Sequence, residues 1–305
     1  MLKLNSGIEI ATANVIASFQ TALKPSEIVF ISQPLNFSSE ESESLKQNWE
    51  QQLRKKQTQL LAKEIKSDIR NYNEVTGNEL ALYIDEKPVM WPGRCITLRQ
   101  FILIDTSLQL AVSEIAYPFI SALSDPDFRR KISSAELLTV RPPLAICTFA
   151  ITVDNFLVLT VRGEHTNVYP GRFYGQGGNP YSVNINLIQH QLDEMNDELF
   201  VSADSIDEST FRFLGLVEDL EQFPGKPDLI GIVNLRISRE EVRRKFETRD
   251  LSDRPADVAR IYFVALDKNT FFNFLLRGSH PSAFCPPAFA GLHLVGKNFF
   301  ADPSF

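Results

Sequence analysis

Glu194, Asp197 and Glu198 stand at i, i+3 and i+4, so on a helix turning about 100° per residue they project from one side. Asp193 adds a fourth negative charge, and no Lys or Arg falls between Leu192 and Leu199 to neutralise them. Such a patch repels itself, and it becomes favourable when it holds a hard divalent cation through oxygen ligands. The other reading of the same residues is a solvated acidic helix face. Upstream, the turn-rich run Tyr169 to Pro180 contains the pair Gly177-Gly178. Adjacent glycines suit a backbone that takes positive φ or lets another group approach closely, and equally an ordinary strand-to-helix turn.

The elements that must carry these residues are legible on both sides. Ile188, Leu192, Met195 and Leu199 form one apolar stripe of a helix expected from about Ser182, its candidate N-cap, to Leu199. Before the glycines, Leu144–Thr152 and Phe156–Val161 read as two strands of a hairpin joined by Val153-Asp154-Asn155. Arg141-Pro142-Pro143 makes a stiff joint, which places a division of the chain near 138–143. In the first half, 27–31 reads as a strand. Ser38 to Ser44 offers helix caps, and Leu45, Trp49, Leu53, Leu60, Ile65 and Ile69 follow as one helical stripe. Segments 78–86 and 95–105 read as strand-rich, separated by turns at Lys87-Pro88 and Trp91-Pro92-Gly93.

Composition narrows the classes. The chain has 305 residues, 44% of them apolar and 23% charged, with 31 Lys and Arg against 38 Asp and Glu for a net charge of −7. That is the profile of a globular protein of one large or two ordinary domains. The acidic balance lacks the basic footprint that nucleic-acid binding requires. No apolar run reaches the roughly 18 residues of a membrane span, and no signal-peptide pattern follows Met1, so a cytoplasmic protein without a membrane partner is expected. Cys95, Cys147 and Cys285 are scattered and read as inert thiols. His165, His190, His280 and His293 lack metal-ligand spacing and read as surface or capping residues. Glu218 and Asp228 flank a hairpin tip, where they would orient a water or a sugar or face solvent. The phenylalanines between Phe271 and Phe300 read as core.

A hairpin, a double-glycine loop and a helix bearing Glu-x-x-Asp-Glu together resemble the Nudix hydrolase family. Gly178, Glu194, Met195, Asp197, Glu198 and Val201 fill places of its box, while Asp193 stands where that box has Arg and Phe200 where it has a second Gly. The chain is similar to the atypical members that hydrolyse UDP-glucose and UDP-galactose. Shared pieces are Asp154 to Leu159 with Arg162, Pro170-Gly171, Gly177-Gly178, Phe213 to Leu216, the capping box from Ser238 and Ile261 to Val264.

The resemblance implies an α+β protein. A Nudix-type α/β/α sandwich with a mixed sheet would occupy 141–305, preceded by an N-terminal α/β extension over 1–140 that packs on it. It implies Mg²⁺ or Mn²⁺ held by Glu194, Asp197 and Glu198, with Glu194 and Glu198 catalytic. Arg162, Gly177 and Gly178 would hold a small nucleotide-sugar substrate, a guanidinium being suited to grip two phosphate oxygens. The implied reaction cleaves the pyrophosphate of a UDP-sugar to UMP and the sugar 1-phosphate. The alternative is a Nudix-like module that has lost catalysis and binds a ligand or a protein. Oligomeric state is left open.

Overall fold

The computed structural model describes residues 2–3, 9–10, 13–72, 79–84, 86–90, 92–123, 125–130, 132, 135–164, 166, 168–222, 224–248, 258–275 and 281–301. In chain order the first half contributes β1 (Leu2–Lys3), β2 (Glu9–Ile10), β3 (Ala13–Leu23), β4 (Ile28–Ser32), α1 (Ser39–Leu61) and β5 (Asp68–Tyr72). β6 (Glu79–Ile84), β7 (Lys87–Met90), β8 (Arg94–Ile104) and β9 (Ser107–Ala116) follow, then the short helices α2 (Tyr117–Leu123), α3 (Pro126–Arg129) and α4 (Ala135–Leu138). The second half runs β10 (Ala145–Ile151), β11 (Phe156–Arg162), β12 (Phe173–Tyr174), α5 (Leu187–Leu199), β13 (Ile206–Asp219), β14 (Lys226–Leu235), α6 (Arg239–Thr248), β15 (Val258–Ala265), α7 (Lys268–Asn273) and α8 (Pro286–Phe300).

The large sheet has the strand order β12-β11-β10-β14-β13-β3, with β15 on the other edge of β11. It is mixed, because β10 and β14 run parallel while the remaining pairs are antiparallel. Successive residues of β10 divide between its two faces. Cys147, Phe149 and Ile151 enter one core with Phe289, Leu292 and Val295 of α8. Ala150 enters another with Leu192, Met195 and Leu199 of α5 and Val242 of α6. Leu144 and Ile146 pack with Ile96, Leu98 and Leu110 of the small sheet β4-β9-β8. Helices on both faces of a mixed sheet make the α/β/α sandwich expected from the sequence. Each fully buried aliphatic or Phe side chain contributes about 1.5–3 kcal/mol of transfer free energy, and that burial fixes α5 against the sheet.

Several local expectations change. α1 is capped by Ser38 and Glu41 reciprocally, but it stops at Leu61. Glu64 then takes a left-handed φ of 61°, and Ile69 lies on β5. The run of apolar spacings thus crossed a helix end. Lys87-Pro88 opens β7 instead of forming a turn, and Trp91 lies outside the described residues. α5 begins at Leu187, capped by Asn186, whose Oδ1 accepts from the N–H groups of Ile188 (3.0 Å) and Gln189 (3.2 Å). Ser182 donates instead to Glu114 Oε1, at 2.8 Å. β3, from the first half, pairs with β13 as an edge strand of the large sheet. Among the described residues no helix is long and apolar enough to cross a membrane.

Candidate functional site

β10 and β11 pair as a hairpin only at Ala150↔Val158 and Ile151↔Leu157, then diverge. The chain from Phe173 to Gly178 fills the fork as a V. Phe173 and Tyr174 pair with Val161 and Thr160 of β11. After Gly175 the chain returns along β10: Gln176 and Thr148 exchange two backbone bonds of 2.7 Å, and Ile146 N–H donates to the Gly178 carbonyl at 3.0 Å. The Gln176 side chain, fully buried, locks the apex. Its Oε1 accepts from Ala150 N–H at 3.0 Å and its Nε2 donates to the Val158 carbonyl at 3.1 Å.

This V delivers the two glycines to α5. Gly177 has a φ of 141°, and a Cβ there would strike the Ile146 carbonyl oxygen. Gly178 lies outside the left-handed region, and a Cβ on it would strike the Glu194 carboxylate. Gly177 N–H donates to Glu198 Oε2 at 3.2 Å. Glu198 is therefore a buried carboxylate, Glu194 is half-buried, and both lie against the double-glycine turn one helical turn apart. Asp197 is exposed. Asp193 accepts from Gln189 Nε2 at 2.8 Å.

Three polar residues join this group: Thr148 and Gln191, which the sequence did not mark, and His190, which it placed at the surface. Thr148 Oγ1 donates to Gln191 Oε1 at 2.6 Å, and Gln191 Nε2 is buried without a hydrogen-bond partner. His190, at 7% exposure, is buried, which corrects its expected surface place. Burial holds its imidazole below the ordinary histidine range, against a hydrogen bond to the Gly178 backbone that acts the other way. Its Nε2 makes no hydrogen bond and stands 3.9 Å from Glu194 Oε1. Tyr181 presents its ring to the imidazole edge-on, with centroids 6.3 Å apart. In the sequence, the i, i+4 spacing of His190 and Glu194 is the signal of this pairing.

The remaining candidates make contacts of their own. Arg162, half-buried at the end of β11, donates from Nε to the Val168 carbonyl at 2.8 Å. Its guanidinium lies 5.6 Å from the centroid of the Tyr174 ring, which belongs to the core shared with α8. Asp228 does not face solvent: it is fully buried, accepts from Tyr174 Oη at 2.8 Å and pairs with Lys226 Nζ at 3.1 Å. Asp219 accepts from Tyr169 Oη with both oxygens at 2.7 Å, and Glu218 faces Arg141 at 3.5 Å. His293 is also buried, at 3% exposure, because α8 turns it into the core against Phe289. His165 and His280 lie outside the described residues. All three cysteines are free and buried, and burial pushes the Cys95 and Cys285 thiols up to about 12.

The chemistry of this donor set suits a divalent cation: two carboxylates drawn onto one turn, one of them buried, and a buried imidazole nitrogen without a hydrogen-bond partner. Among the described residues no three His, Cys, Asp or Glu side chains already converge on one ion position. Glu194 and Glu198 are the gathered pair, with Asp197 at the exposed border.

No protein-family model and no curated protein matches the chain. Among solved structures it is similar to a MutT protein from Methanosarcina mazei, with 11% identity and a TM-score of 0.33 over 52% of this chain and 92% of that one. It is similar also to an Ap4A hydrolase from C. elegans (10% identity, TM-score 0.31, 52% of this chain and 98% of that one). A third is the DR0079 protein from Deinococcus radiodurans (13%, 0.30, 46% and 78%).

Proposed function

We propose that this protein is a Nudix-type pyrophosphohydrolase acting on a nucleoside-diphosphate-linked substrate, with UDP-sugars the leading class. The observation that carries the reading is the clasp between α5 and the double-glycine turn, in which Gly177 N–H holds Glu198 and the Gly178 surface holds Glu194. The glycines let the carboxylates pack directly against the turn, and the pair so fixed is the kind of oxygen-donor set that a cation bound to a diphosphate would use. Glu194 and Glu198, with Asp197 at their border, would hold Mg²⁺ or Mn²⁺, which when bound supplies positive charge for phosphoryl oxygens and a more acidic water.

The chain's own residues do the positioning. Gln176 and the Thr148–Gln191 contact fix the V and the helix relative to each other, so the carboxylates are preorganised without a box Arg. Arg162 holds the loop through the Val168 carbonyl, and in this reading it steadies the substrate side of the turn. A second reading, a binding module without catalysis, draws on Asp193 in the place of that Arg. A metal-dependent hydrolysis screen over UDP-, ADP- and GDP-linked compounds separates the two. Turnover of a diphosphate supports the enzyme, and binding with no turnover of any compound supports the module.

A further inference from the structure

The uncommitted nitrogen beside Glu194 does more than complete a helix face. His190 is 93% buried by its 7% exposure, yet its Nε2 has no hydrogen-bond partner. A buried polar atom left unpaired is destabilising, so it calls for a ligand. The Gly178 backbone stands beside the same imidazole. A metal-binding histidine needs a ring nitrogen that no protein group claims, and here Nε2 is that nitrogen. Glu194 Oε1 lies 3.9 Å from Nε2. That is too long for a direct hydrogen bond, whose heavy atoms sit about 2.7–3.2 Å apart. Two metal–ligand bonds of about 2.1 Å each span roughly 3.0 to 4.2 Å as the angle between them opens from a right angle to a straight line. The observed gap falls inside that span.

We propose that His190 Nε2 is itself a metal ligand, paired with Glu194 across one turn of α5, and that the site therefore favours Mn²⁺, Co²⁺ or Zn²⁺ over Mg²⁺. An imidazole donor suits borderline transition-metal ions, whereas Mg²⁺ takes oxygen ligands almost exclusively. The inference rests on the proposed function only in taking Glu194 to face a divalent ion. Gly178 then admits the Glu194 carboxylate against its Cα, beside the His190 ring.

The test is Mn²⁺ titration of the purified full chain, read by pulsed electron paramagnetic resonance for coupling to a nitrogen nucleus. Wild type is expected to show that coupling, and a hundredfold excess of Mg²⁺ should leave Mn²⁺ bound. His190→Gln should lose the coupling and weaken Mn²⁺ binding by about 10–100-fold, with Glu194→Gln weakening it comparably. Wild-type Mn²⁺ bound without nitrogen coupling overturns the proposal, whatever the variants do. So does coupling that persists in His190→Gln, or displacement of Mn²⁺ by equimolar Mg²⁺. Should His190→Gln fail to fold, His190→Asn is the second variant, and the wild-type coupling and competition still decide. A nitrogen-coupled ion in a protein that cleaves no diphosphate would keep this ligand and sink the hydrolase; hydrolysis supported by an all-oxygen site would do the reverse.

Discussion

Neighbouring glycines should separate stability from activity. In Gly178→Ala the new Cβ would stand 2.8 Å from the Glu194 Cδ, well inside the 3.4 Å at which ordinary contact begins. The obstacle is the far end of a flexible side chain, and Gly178 has no left-handed φ. Folding should therefore lose only about 1 kcal/mol, the order of one off-rotamer side chain. Glu194, however, must withdraw by roughly 1 Å, and misplacement on that scale costs about 10²-fold in turnover. In Gly177→Ala the Cβ meets the Ile146 carbonyl at a φ of 141°, so backbone must move. That substitution should cost about 2–3 kcal/mol, or roughly 2–4 °C of Tm per kcal/mol in a domain of this size. Thermal melts and kcat for UDP-glucose, measured on both variants side by side, check the pair. Full kcat in Gly178→Ala with an unchanged melt would refute the claim that the glycine surface places Glu194.

His293 gives a pH prediction. Burial lowers its pKa from 6.5 to about 4, and neither ring nitrogen has a hydrogen-bond partner. The unfolded chain then binds the extra proton first. The stabilisation is present above about 6.5 and is lost as pH falls toward 4, by about 3 kcal/mol. His293→Leu should flatten Tm between pH 4 and 6.5, and an unchanged slope would place the titration elsewhere. Gln176→Leu leaves Ala150 N–H and the Val158 carbonyl without their bridge, so urea denaturation should show a loss of about 2–4 kcal/mol. Phe200 occupies a left-handed φ of 62° and stacks on Phe246 at 5.6 Å. Phe200→Gly should relieve about 1 kcal/mol of backbone strain and forfeit about 3 kcal/mol or more of packing, for a net loss measurable by calorimetry.

The parts of the fold governed by local rules were legible in the sequence. Two β-rich runs joined by Val153-Asp154-Asn155 marked the β10–β11 hairpin, and the stripe Ile188, Leu192, Met195 and Leu199 marked α5. The capping residue of α5 was not legible, because Ser182 and Asn186 are both good caps and tertiary contact with Glu114 claimed Ser182. Long-range pairing was equally hidden: nothing local to Ala13–Leu23 says that it will border β13. At the site, residue types marked Gly177, Gly178, Glu194 and Glu198. The split between an exposed Asp197 and a buried Glu198 is set by which carboxylate meets the Gly177 N–H. His190 read as a surface or capping residue and Gln191 carried no mark, because polar residues on the buried side of a helix declare their role only once the facing loop is in place.

Incubation of the purified protein with UDP-glucose and Mg²⁺ or Mn²⁺, with nucleotides and sugar phosphates resolved by chromatography, tests the central claim most directly. Equal amounts of UMP and glucose 1-phosphate from the wild type are predicted. None is expected from Glu198→Gln, whose amide can still accept from Gly177 N–H and so keeps the clasp. UDP with free glucose would mean cleavage of the glycosidic bond, and undiminished UMP release by Glu198→Gln would take the chemistry away from α5; either result would contradict the account.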